Sequence, residues 1–377
     1  IADDATSAAT SSAVIKSVVA NQKLITTASG TYQIFQPGTY VLTSDRTSPS
    51  GASSISVLAS NVIIDLNGFS IIATDSTSRG ITTTSNITDL TVRNGTIRGC
   101  SSAIANFLVG TSGLTIEKVS ALDCTDFVLS GGPDTIISDC IIRGVAATSV
   151  GINCGIGSVV RDTRVSNVPG IGLQCASGAV SITDCMFSGG ASFSISAGDG
   201  SSISRTTVIG GLGMKTGAAS SIEHSVAKGC SGTTAIKVGS DSRIESCVSS
   251  LNSSSGTFLF GFELGARSLA INCTASANGS TNASLSQQTG GGFYLGDACQ
   301  IQNCTASGNV GAGIHIVGSN CTLLNNTVAN NGSSSGVGAG ISIQGTRNRI
   351  EGNHASGNAT GILIGSGFTK NLVSRNT

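Results

Sequence analysis

Aliphatic residues in this chain recur in two short motifs, and residues 299–317 contain both. In Cys-Gln-Ile-Gln-Asn-Cys, a single aliphatic residue, Ile301, stands two positions before Asn303 and three before Cys304. In Val310-Gly-Ala-Gly-Ile-His-Ile-Val317, Ile314 and Ile316 alternate with His315. A period of two predicts a strand with one buried face. The same pair of motifs returns along almost the whole chain, so the sequence reads as a repeat array. Aligned on Asn67, Asn94, Lys118, Asp139, Asp162, Asp184, Arg205, His224, Ser246, Asn272, Asn303, Asn325, Gly352 and Arg375, the repeats average about 24 residues, within the solenoid range.

The residue after each anchor is small or polar: Cys140, Thr163, Cys185, Thr206, Ser225, Cys247, Cys273, Cys304, Asn326, Asn353 and Asn376. Equivalent positions stack from coil to coil, so this row predicts a buried ladder of thiols and hydroxyls passing into asparagine amides. The anchors are often Asn, Asp or Gly, the types that best tolerate left-handed backbone, and so predict the bend between two strands. The second motif gives a parallel row of Gly or Ala before an apolar residue, as at Gly261-Phe262, Gly292-Phe293, Gly313-Ile314 and Gly340-Ile341. The fold expected is all-β: a right-handed parallel β-helix of about 14 coils with two or three strands each, the hand following the usual preference of parallel crossovers. A left-handed β-helix is the alternative, but its strict hexapeptide spacing is absent.

Residues 1–30 stand apart. Val14, Ile15, Val18 and Val19 fall at helical spacing and predict a short helical or irregular cap, or a subunit-contact segment, ahead of a β-helix over residues 31–377. Tyr32, Ile34, Tyr40 and Leu42 around Pro37-Gly38 predict two short strands and a turn. The chain begins with Ile rather than Met, which suits a mature secreted protein after signal removal, or a fragment.

Composition narrows the function. Charged residues are 11% and the formal net charge is zero, so the basic footprint of a nucleic-acid binder is missing. No apolar run is long enough for a spanning helix, so no membrane insertion is expected.

Asn61-Val-Ile-Ile-Asp-Leu-Asn-Gly-Phe69, Leu90-Thr-Val-Arg-Asn-Gly-Thr-Ile-Arg98, Asn348-Arg-Ile-Glu-Gly-Asn353 and Asn371-Leu-Val-Ser-Arg-Asn-Thr377 resemble secreted bacterial right-handed β-helix repeat proteins, which share their architecture with the pectate-lyase-like superfamily. The resemblance covers residues 31–377. It implies a fold and leaves the function open, since β-helices host lyases, hydrolases, tailspikes, adhesins and inert spacers.

Four sets of residues could carry chemistry. Asp139, Asp162 and Asp184 share one position on successive coils. Stacked carboxylates could hold Ca²⁺, as in polysaccharide lyases of this architecture, although Asp at a bend also simply tolerates the backbone. Lys215, Lys237, Glu263, Tyr294 and His315 fall on the outward position of consecutive second strands and would form a glycan-binding stripe, or an ordinary solvated face. This stripe holds a single carboxylate, whereas a glycosidase needs two; no catalytic residues and no other cofactor are assigned. Cysteines fall at matching coil positions, and Cys154 with Cys175 and Cys299 with Cys321 are the disulfide candidates. The remaining cysteines are expected as buried thiols. Among the Asn-X-Ser/Thr sequons, Asn252, Asn278, Asn282 and Asn331 are expected in projecting loops, accessible to glycosylation.

The C-terminal motif stops at a ladder position, so either the sequence continues beyond Thr377 or another chain covers that edge of the stack. The expectation is an extracellular or cell-surface structural protein whose rods associate head to tail into a filament or surface layer. The alternatives are a polysaccharide-binding or polysaccharide-degrading protein and a passive adhesin stalk.

Overall fold

A computed structural model describes residues 22–106, 110–144, 150–175, 178–254, 259–280, 290–332 and 338–377. The helix expected around residues 14–19 lies outside them, as does Asn282. Among the described residues every regular element is a β-strand. Most coils of the right-handed parallel β-helix contribute three short strands, and neighbouring coils pair in parallel and in register. The chain divides into two compact units, Ile1–Arg143 and Gly144–Thr377.

In the first unit, Gln22–Ile25 pairs with Gly38–Leu42, which pairs with Val62–Asp65, followed by Leu90–Arg98 and Thr115–Cys124. The coil stack therefore takes in residues before 31, earlier than the sequence pattern suggested, because Ile25 is a fully buried core residue. The expected strands appear as Tyr32–Ile34 and Gly38–Leu42. Arg46 is buried, 1% exposed. Its guanidinium donates to the Thr27 and Gly30 carbonyls, the Thr27 hydroxyl, and the Ser54 carbonyl and hydroxyl. These neutral acceptors satisfy the buried cation, while desolvation pulls its pKa down.

In the second unit the core has two facing columns. Val160, Ile182, Ile203, Ile222, Ile244, Ala270, Ile301, Leu323 and Ile350 form one, and Leu173, Ile195, Met214, Ile236, Phe262, Phe293, Ile314 and Ile341 the other; all are 0% exposed. Each large aliphatic so buried contributes roughly 1.5–3 kcal/mol. Phe262 and Phe293 stack at 4.8 Å with an interplanar angle of 9°, as identical coil positions must. The glycines before the second column make room for the next coil. A Cβ on Gly292 would lie 2.4 Å from the Gly313 carbonyl oxygen.

Every anchor named above has positive φ, from 45° at Arg205 to 67° at Gly352. The bend removes the following residue's N–H from the strand ladder, and the side chain on the next coil restores its partner. Cys304 N donates to Asn326 Oδ1 (2.9 Å), Asn326 N to Asn353 Oδ1 (2.9 Å) and Asn353 N to Asn376 Oδ1 (2.9 Å). This satisfies buried backbone that no strand reaches.

Two further ladders occupy the other corners. Asn252, Asn278, Asn309, Asn331 and Asn358 form one, with side-chain amide links of 2.7, 3.0, 2.8 and 3.1 Å. The other passes from serine to asparagine: Ser201 N donates to Ser220 Oγ (3.2 Å), Ser220 N to Ser242 Oγ (3.1 Å), and Cys321 N to Asn348 Oδ1 (2.7 Å). This corrects the sequon reading. Asn252, Asn278 and Asn331 are at most 1% exposed and spend their amides inside the solenoid.

The disulfide expectation is corrected as well. Cys154, Cys175, Cys299 and Cys321 are free, buried thiols. Cys175 Sγ donates to the Gly155 and Gly178 carbonyls, and Cys321 Sγ to the Gly296 carbonyl. Side chains at one coil position point the same way, which opposes the near-perpendicular torsion a disulfide needs.

Candidate functional site

The outward stripe forms as its spacing implies. Lys215 is in register with Lys237, Lys237 with Glu263, Glu263 with Tyr294, Tyr294 with His315 and His315 with Ser342. Strand pairing holds these side chains one coil apart on one face, at about 4.8 Å per step.

The stripe is not a row of independent solvated charges. Lys237 Nζ lies 2.7 Å from Glu263 Oε1, and Glu263 Oε2 accepts the Thr234 hydroxyl at 2.7 Å. Lys215 Nζ sits 4.5 Å from the centre of the Phe193 ring, a cation–π distance. Beyond Glu263 the stripe becomes aromatic. The Phe260 and Tyr294 ring centres are 4.9 Å apart, and those of Tyr294 and His315 5.7 Å apart. Phe260 also lies nearly parallel to His315, at 6.2 Å and 21°.

Phe260, Phe193 and Thr234 were missed by sequence reasoning. Phe260 and Thr234 belong to a second outward row; each stands three residues before its stripe partner on the same strand, Phe260 before Glu263 and Thr234 before Lys237. In this row Phe260 is in register with Gly291. A Cβ on Gly291 would lie 2.0 Å from the Ala312 carbonyl oxygen, so no side chain can stand there, and the Phe260 ring reaches across the gap. His315 is 4% exposed, and among the described residues its Nδ1 has no hydrogen-bond partner. Desolvation lowers its pKa to about 4, so the imidazole is neutral at ordinary pH.

The carboxylates proposed for calcium behave as bends. Asp139, Asp162 and Asp184 have φ of 55°, 50° and 56°. Asp184 is held by Arg205, with both contacts at 2.7 Å, and this hydrogen bonding draws its pKa down. Asp162 lies 3.8 Å from Arg161. Among the described residues no three His, Cys, Asp or Glu side chains gather as they would around a metal ion.

The fold and the ladders define a class, and comparison with known families agrees. Residues 169–321 and 260–377 match the right handed beta helix region family; the two matches together span more than half of the chain. The chain belongs to that family. No curated protein matches it. Among solved structures, the Dettilon tailspike protein is 13% identical over 92% of this chain, with a TM-score of 0.33; this chain spans 61% of its length. The mannuronan C-5 epimerase AlgE6 A-module of Azotobacter vinelandii is 12% identical over 90% of each chain, with a TM-score of 0.38. The surface protein and adhesin PfbA of Streptococcus pneumoniae is 9% identical over 92% of this chain and 89% of its own, with a TM-score of 0.36. None of these likenesses bears on what this chain binds or does.

Proposed function

We propose that this protein is a polysaccharide-binding β-helix, acting outside the cell or at its surface, and that an extended glycan lies along the Lys215–His315 stripe. The observation that supports this is the register. One coil rise separates successive stripe residues, a step comparable with the length of a pyranose unit, so a straight chain can meet an equivalent position at every sugar. Phe260 and Tyr294 offer ring faces for the apolar side of a sugar, and Lys215, Lys237 and Glu263 offer polar edges, the mixture usual in ligand sites. The test is a glycan array of neutral and anionic polysaccharides, followed by titration of the wild type and of Tyr294→Ala. Tyr294→Ala should lose about tenfold in affinity, the worth of one aromatic contact. Retention of full affinity by that variant, or failure of every polysaccharide to bind, would defeat the reading.

Head-to-tail self-association into a filament or surface layer is a second reading. The coil at residues 360–374 leaves Leu363, Ile364, Phe368, Leu372 and Val373 at least 36% exposed, an edge suited to another β-coil whether further sequence or a second copy supplies it. Sedimentation across a concentration series separates these cases: mass growing with concentration supports stacking, and a constant mass opposes it.

A further inference from the structure

His315 is a stripe residue that is buried although its strand turns it outward. Ile314 and Ile316 beside it point into the core and are 0% exposed, so His315 faces outward, yet it is 4% exposed. Among the described residues, Phe260 covers it. Its ring crosses Gly291, packs against Tyr294 at 4.9 Å and lies over the imidazole at 6.2 Å. Beneath the ring, His315 Nδ1 has no hydrogen-bond partner among the described residues. A buried polar atom without a partner is rare, and an aromatic lid over one marks a place where a ligand group can enter.

The charges nearby restrict what that ligand is. Both oxygens of Glu263 are taken, one by Lys237 and one by Thr234. Lys237 is matched by the same carboxylate, and the Lys215 ammonium lies over Phe193. The aromatic end of the stripe therefore presents no unmatched charge. A carboxylate or an ammonium entering there would lose its water without gaining a counter-ion. A hydroxyl can donate or accept, so it satisfies Nδ1 in either tautomer of the neutral ring.

Building on the glycan-binding reading, we propose that His315 and Phe260 form a specificity site for a neutral polysaccharide: Phe260 swings off the imidazole, a sugar ring takes its place against Tyr294, and one sugar hydroxyl bonds His315 Nδ1. His315 is then the residue that selects neutral over acidic glycans.

The experiment titrates wild type and His315→Phe with cellohexaose, laminarihexaose and hexagalacturonate. Phenylalanine keeps the ring and the stacking but removes the hydrogen bond, and the inward Ile314 and Ile316 keep their packing. The wild type should bind a neutral hexamer more tightly than hexagalacturonate. His315→Phe should lose about tenfold on the neutral probe, the worth of one hydrogen bond, and little on the acidic one. As a second readout, the His315 ring ¹⁵N signal of the wild type should move on saturation with the neutral hexamer; it can be assigned among the three histidines by substitution. Preference for hexagalacturonate, unchanged affinity in His315→Phe, or an unmoved ring signal overturns this inference and leaves glycan binding standing. Absence of binding to these probes and to the array overturns both.

Discussion

Replacing Asn309 by alanine should damage this protein far more than replacing Asn303, although both are asparagines of the same coil. Asn309 is 2% exposed. Its Oδ1 accepts from Asn278 N and Asn278 Nδ2, each at 3.0 Å, and its Nδ2 donates to the Ala275 carbonyl at 3.0 Å and to Asn331 Oδ1 at 2.8 Å. Four hydrogen bonds at about 1 kcal/mol each, with a small cavity added, give a loss of about 4–5 kcal/mol. Asn303 is exposed and serves the bend, with φ of 54°. Its alanine variant gives up only the left-handed preference, about 1 kcal/mol. Urea unfolding of both variants compares the losses. Because a repeat array can unfold in parts, hydrogen exchange at the Asn278 amide supplies a local reading, and Asn309→Ala should strip its protection. Equal destabilisation by the two variants, or an Asn278 amide still protected in Asn309→Ala, would refute the ladder account.

Two further predictions concern titratable groups. All twelve cysteines are buried and free, and desolvation raises the thiols of Cys140 and Cys185 to about 11 and those of Cys230 and Cys321 to about 12. Hydrogen bonds with neighbouring thiols draw Cys124, Cys175 and Cys304 down, but burial denies the reagent access to them. Iodoacetamide at pH 8 should therefore leave the folded protein unmodified and label twelve thiols once it is unfolded without reductant; fewer labels would reveal disulfides. The second prediction is that His315 makes stability pH-dependent. The unfolded chain protonates this imidazole as pH falls through about 6.5, whereas the folded protein keeps it neutral down to about 4. In that window the unfolded state binds more protons, so stability is full above about 6.5 and falls towards pH 4, by about 3 kcal/mol in all. His315→Phe should remove this part of the acid loss, and identical pH profiles for variant and wild type would contradict it.

The sequence carried the repeat, the bends and one ladder, because these depend only on what equivalent positions have in common. Positive φ at every anchor follows from residue types that accept it, with Lys118, Arg205, His224, Ser246 and Arg375 carried along by register. The other two ladders were also legible. Asn348, Asn353 and Asn358 are five residues apart, as are Ser268, Cys273 and Asn278, and that fixed interval runs from corner to corner. Reading Asn252, Asn278 and Asn331 as glycosylation sites took a pattern created by ladder geometry for a surface signal. Matching cysteine positions suggested bonds that shared side-chain direction disfavours. The burial of His315 lay beyond a position-by-position reading. Part of its cover is Phe260, from a different row two coils earlier, whose ring reaches across a gap that Gly291 leaves open.

The most direct test of the functional account is a crystal structure of the protein with the tightest-binding oligosaccharide from the array. The account predicts sugar rings laid along the coil axis against Tyr294, with Phe260 displaced and a hydroxyl on His315 Nδ1. A sugar seated on either of the other two faces of the coil, or a stripe left bare at a concentration that saturates binding in solution, would contradict it.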